Sequence, residues 1–302
     1  MNNPSLIAHK LLACGRACTD ASGRQLVATW LDGNLDGSSL MWLHRGELAA
    51  TFAELDLEEQ HGVRFRDGSK TSVGDIVRRE AVGFALDPTV PWNTREQKTG
   101  VEYGFTVRAF CHYLGPDAEV GKESSVHEIV RLMISAPNRN VEAGTHELEG
   151  IAECLSQARR VQARDRAGDV YEQAERFLAS EAETALNQLA PNGQAYASAP
   201  GFYSLEDPDP LGLLMTDLVR QAHLFEWLLR LPEPPGDARV AAALVRLDAL
   251  LRQISQQFSH AWFAEDGVRQ ALAISALSHA RHVSLMLPGG RQAQSSSLKH
   301  AT

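Results

Sequence analysis

His112, Glu128 and Arg108 are the residues whose types and spacing come nearest to an acid/base site. They lie in the stretch 101–135. In its first half Tyr103, Phe105, Val107, Ala109, Cys111 and Tyr113 alternate with their neighbours, which is the period of a β-strand. A second apolar run, 126–135, follows a polar turn region. If the two runs pair as an antiparallel hairpin with His112 opposite Glu128, then Arg108, His112 and Glu128 share one face. A carboxylate beside an imidazole raises its pKa, so His112 could serve as acid or base near neutrality. Glu128 would orient it and Arg108 would bind an anionic group. A slip of one residue in register would dissolve the arrangement, because every side chain would change face.

Other groups offer different chemistry. Arg159, Arg160, Arg164 and Arg166 form a basic run which, with Arg64, Arg66, Lys70, Arg78 and Arg79, could meet phosphates of a nucleic acid. The competing reading is a solvated helix face whose arginines pair with neighbouring acids. Cys14 and Cys18 are four residues apart, with His9 nearby, but nothing close in sequence completes a tetrahedral ligand set. Buried thiols packing as small hydrophobes explain them better. His146, Glu147, Glu149 and Glu153 crowd the start of a helix, where negative charge is favourable in any case. A carboxylate-bridged metal bundle needs Glu-x-x-His pairs on facing helices. The nearest substitutes are His223-x-x-Glu226 and His279-x-x-His282, and they read as surface or core-edge residues rather than ligands. No metal and no cofactor is therefore expected.

The familiar catalytic signatures are absent from the sequence: there is no Gly-x-x-x-x-Gly-Lys-Ser/Thr, Gly-x-Gly-x-x-Gly, His-Glu-x-x-His, Gly-x-Ser-x-Gly or Cys-x-x-Cys. A net charge of −9 argues against general affinity for nucleic acid or anionic membrane. The most apolar long segment, 211–231, carries Asp217, Arg220, His223, Glu226 and Arg230, too many charges for a membrane span. Four cysteines in 302 residues are not a disulfide framework, and the first residues lack the basic and apolar regions of a signal peptide. These features point to a soluble cytoplasmic protein.

The elements that must position these groups fall into two halves. Turn signals around 32–37 and 67–69, with runs rich in Val, Thr and aromatic residues, predict strands at 25–31, 39–44, 63–66 and 81–86. Residues 47–57 read as strand or helix, and 71–79 as a short helix capped by Thr71 or Ser72. From 139 onward the period becomes helical. Thr145, Asp169 (with Glu172 three residues on), Asp209 (before Pro210) and Asp237 mark helix starts, and a last helix is expected over 267–287. The helix after Asp209 is apolar around most of its circumference, which places it centrally. The expected fold class is α+β: a β-rich domain with an N-terminal helix over 1–138, a bundle of about five helices over 139–290 and a disordered tail over 291–302. The expected function is a non-catalytic subunit or adaptor of a larger assembly, with a protein partner and no membrane, contacting nucleic acid through its Arg-rich face. The alternative is an enzyme using His112, Glu128 and Arg108 on an anionic substrate.

Overall fold

The computed structural model describes Val27 and residues 31–35, 46–86, 103–135, 141–161, 169–194, 209–231, 238–264 and 267–287. Helix accounts for 72% of them, so the expected α+β class with a β-rich first half is corrected to a mainly helical fold. The described elements, in chain order, are β1 (Asp32–Leu35), α1 (Glu47–Glu54), β2 (Gly62–Phe65), β3 (Lys70–Ser72), α2 (Val73–Val82), α3 (Tyr103–Leu114), β4 (Glu119–Val120), β5 (Ser124–Ser125), α4 (Val126–Ser135), α5 (Val141–Arg160), α6 (Val170–Asn187), α7 (Pro210–Leu228), α8 (Ala238–Gln257), α9 (His260–Ala264) and α10 (Gly267–Met286).

Among the described residues, strands are confined to two small sheets, one ordered β1-β2-β3 and the other β4-β5. The turn expected at 67–69 is present: β2 and β3 pair antiparallel, with Val63 opposite Thr71, and Asp67 accepts the Ser69 backbone N–H. Ser72 caps α2 by accepting the Asp75 N–H, as the sequence suggested. Other expectations fail. Residues 81–82 close α2 instead of opening a strand, and β1 begins where a turn was expected, while 47–54 take the helical of their two readings. The expected strand over 39–44, the N-terminal helix with Cys14, Cys18 and His9, and the tail over 291–302 lie outside the described residues.

The hairpin expected over 101–135 is a pair of helices, α3 and α4. Alternation in α3 is a by-product of a segment that is apolar almost all round: Tyr103, Thr106, Val107, Ala109, Phe110 and Cys111 are all buried. Its twelve residues exceed the usual strand length, which favours helix for an apolar run. In α4, Val126, Ile129, Val130 and Met133 follow i, i+3, i+4, i+7 spacing and form the buried face. Ser125 starts this helix: its hydroxyl accepts the Glu128 N–H at 3.4 Å and donates to the Glu128 carboxylate at 3.0 Å. Glu128 is thus held by the capping serine at the start of α4.

Three packed clusters make the core. The first joins α2 through α6 to Leu224, Trp227 and Leu228 of α7, so residues from both sides of position 138 share it. The second joins Met215, Leu218, Ala222 and Phe225 of α7 to α8 and α10. The third lies under α1, β2 and α2, around Phe52, Val63, Phe65 and Ile76. Helix α7 therefore packs on two opposed sides, as expected of a helix buried around its circumference. Asp209 caps it by accepting the Gly212 N–H, and Pro210 occupies its first turn.

Helices α3 and α5 approach closely enough to exclude side chains at the crossing. A Cβ on Gly150 would lie 2.6 Å from the Gly104 carbonyl oxygen, and one on Gly104 would lie 2.2 Å from the His146 carbonyl oxygen. This crossing brings Arg108 against Glu149. Gly150→Ala should therefore cost about 1–3 kcal/mol of stability by overpacking. Gly62→Ala, at a site with nothing within 4 Å, should leave the denaturant midpoint almost unchanged.

Candidate metal centre

Helix α7 carries a third stripe besides its two apolar sides. His223 and Glu226, followed by Arg230 one turn beyond Glu226, are spaced to share a face. Across from them α10 presents His279 and His282, α5 presents Glu149 and Glu153, α3 presents Arg108, and Glu54 closes α1. His223, Glu226, His279, His282, Glu149 and Arg108 are all buried. Burying an unanswered carboxylate costs on the order of several kcal/mol, so each charge here must meet a partner.

Glu226 is the hub. Its Oε2 lies 2.7 Å from His223 Nδ1, and its Oε1 lies 2.7 Å from His279 Nδ1 and 3.0 Å from His282 Nδ1. Burial alone would raise the Glu226 carboxyl, but the facing imidazoles of His279 and His223 hold it well below the usual carboxylate range. Burial lowers the pKa of His279 despite the Glu226 carboxylate, and His223 adds to the lowering. His146 stacks edge-on to His223, with ring centroids 5.0 Å apart, and packs on Phe105.

The other side of the cluster is an arginine–carboxylate lattice. Glu54 Oε2 lies 2.5 Å from His282 Nε2, and its Oε1 pairs with Arg230 and, at 3.2 Å, with Arg108 Nη2. Arg108 Nη1 lies 2.5 Å from Glu149 Oε1. Arg230 also reaches Glu149 through Nε at 3.1 Å and Glu153 through Nη1 at 2.8 Å. Against the cost of burial, Arg108, Arg230 and His282 hold the Glu54 carboxyl well below its ordinary value. Glu149 is raised chiefly by burial, with Glu226 adding to the rise.

Two sets of three donors lie within metal-chelating reach, their ligand atoms all within 4.8 Å of one another: His223–Glu226–His279, and Glu54–Glu149–His282. The spacing of His223-x-x-Glu226 and His279-x-x-His282 is visible in the sequence, but the expected surface or core-edge placement is wrong, since all four residues are buried. The missed signal is the character of α7. A helix buried around its circumference buries its polar residues too, and a buried Glu demands a constellation around it.

The sequence-predicted residues are dispersed. Arg108 enters the cluster, but it is spent on Glu54, Glu149 and the Ala50 carbonyl. His112 sits on α3 beside Tyr113, and burial lowers its pKa against the opposing pull of the Glu153, Asp56 and Glu54 carboxylates. Glu128 is engaged by Ser125, and no hydrogen bond or ion pair joins it to His112 among the described residues. Arg159 pairs with Glu175 at 2.5 Å, Arg160 is exposed, and Arg164 and Arg166 lie outside the described residues.

Two outcomes follow for the metal-free protein. Arg108→Met strips Glu54 and Glu149 of a cation and should cost about 3–5 kcal/mol, whereas the double change Arg108→Met/Glu149→Met should recover much of that loss in denaturant unfolding. The depressed Glu54 and Glu226 contribute stability that is present above the unfolded carboxylate value of about 4.3 and is lost as pH falls through their folded values. Thermal midpoints measured from pH 6 to pH 2 should accordingly fall less steeply in Glu54→Gln than in the parent protein.

No described helix is long and apolar enough to cross a membrane. No protein-family model, curated protein or solved structure matches the chain.

Proposed function

We propose that this protein is a metal-dependent enzyme that holds a divalent ion on His223, Glu226 and His279. The observation that carries the reading is the convergence of two imidazole Nδ1 atoms on one buried carboxylate, each at 2.7 Å. The three ligand atoms lie within 4.8 Å of one another, and an ion about 2.1 Å from each in a tetrahedral arrangement would draw them to about 3.4 Å apart. Two imidazoles and one carboxylate suit zinc or a redox-active first-row ion such as iron(II) or manganese(II), and do not suit the all-oxygen shells of calcium or magnesium.

Three protein donors leave coordination positions open, as catalytic ions require. An ion so held lowers the pKa of a bound water or polarises a substrate oxygen. The same side chains, if they served stability alone, would be an expensive choice, because apolar residues of similar volume commonly stabilise a core as well or better. The expected nucleic-acid contact through Arg159, Arg160, Arg164 and Arg166 has the Arg159–Glu175 pair against it, since a phosphate would have to displace that partner.

The test is direct. Protein stripped with a chelator and titrated with zinc(II), manganese(II) or iron(II) should gain thermal stability, by about 2.7 kcal/mol at a hundredfold excess over Kd. Glu226→Gln and His279→Gln should abolish the gain. Equal gains in parent and variants, or none in the parent for any of the three ions, would remove the reading.

A further inference from the structure

We infer that Arg230 stands in the place of a second metal ion, so that the centre takes one ion and not two. This rests on the proposed His223–Glu226–His279 site. The second donor set, Glu54–Glu149–His282, satisfies the same proximity condition as the first and joins it directly, through the 3.0 Å contact between His282 and Glu226. On donor spacing alone the cluster is a two-ion site, with one ligand set on each side of that contact.

What distinguishes the second set is its occupant. The Arg230 guanidinium touches all three of its members: Nη2 pairs with Glu54 and lies 2.8 Å from His282 Nε2, while Nε lies 3.1 Å from Glu149. Its remaining nitrogen, Nη1, reaches Glu153. A guanidinium is always protonated and has only donors to offer, so it can neither ligate a cation nor yield its charge to make room for one. Arg108 adds a second fixed positive charge on Glu54 and Glu149. In the first set, by contrast, the Glu226 carboxylate is hydrogen-bonded to the imidazoles of His223, His279 and His282. Arg230 is therefore a specificity-determining residue, setting how many ions the cluster accepts and confining the open coordination positions to the His223–Glu226–His279 side.

The experiment is a manganese(II) titration of chelator-stripped full-length protein, read by bound metal per chain and by electron paramagnetic resonance. The parent should bind one ion and give an uncoupled manganese signal. Arg230→Gln, expressed with manganese(II) present, should bind two and show an exchange-coupled signal, and adding Glu54→Gln to it should return the stoichiometry to one. Two ions in the parent, or one in Arg230→Gln, would overturn the inference while leaving the metal reading intact. No ion in the parent would overturn both at the first step. Should Arg230→Gln fail to fold, the parent stoichiometry still decides, with one ion in support and two against.

Discussion

A carboxylate in the middle of a helical bundle governs the rest of this structure. Glu226 sits on the most buried helix, and three imidazoles from two helices converge on its two oxygens. Through His282 the same charge is tied to Glu54, and through Glu54 to Arg108 and Arg230. Each member answers the desolvation of another, so no one of them can be exchanged for an apolar residue without leaving a neighbour uncompensated. The packing around the cluster follows from that requirement. Helices α1, α3, α5, α7 and α10 must all meet at one point, and α3 can reach α5 closely because Gly104 and Gly150 remove the side chains that would hold them apart.

Helix α7 reconciles this polar centre with a stable interior. One side joins the core built on α2 through α6, another joins the core of α8 and α10, and the His223–Glu226 stripe runs between them. The apolar clusters on either side hold the backbone of α7, so the polar side chains are positioned by packing as well as by their own attraction. Preorganisation of this kind is what a metal site needs, because ligands held by packing are already near their bound positions before an ion arrives. The two ends of the polar cluster then differ by one feature. Among the described residues the Glu226 carboxylate is hydrogen-bonded to the imidazoles of His223, His279 and His282, and beyond His282 the carboxylates meet fixed guanidiniums.

In the second half of the chain Asp209 with Pro210 announces α7, and the expected last helix is α10. Thr145, read as a helix start, lies inside α5, and Asp169 precedes α6 without a side-chain cap. In the first half Ser72 announces α2. The first half was misread where apolar residues were too dense to show a single period. In α3 nearly every position is buried, so alternation and helical spacing are both satisfied and only length separates them. In α4 the spacing of Val126, Ile129, Val130 and Met133 was helical throughout, and the assumed hairpin partner obscured it. The candidate site was half visible. His223, Glu226, His279 and His282 had the right spacing, but their convergence with Glu54, Arg108 and Glu149 joins residues far apart in sequence. No local pattern encodes that meeting; it arises from how the helices cross.

The central claim is that the His223–Glu226–His279 triad holds an ion, and an anomalous difference map from crystals grown with zinc(II) tests it most directly. The account predicts one peak per chain, bounded by Nδ1 of His223, Nδ1 of His279 and the Glu226 carboxylate. A map without a peak there, with the three side chains still hydrogen-bonded to one another, would contradict it.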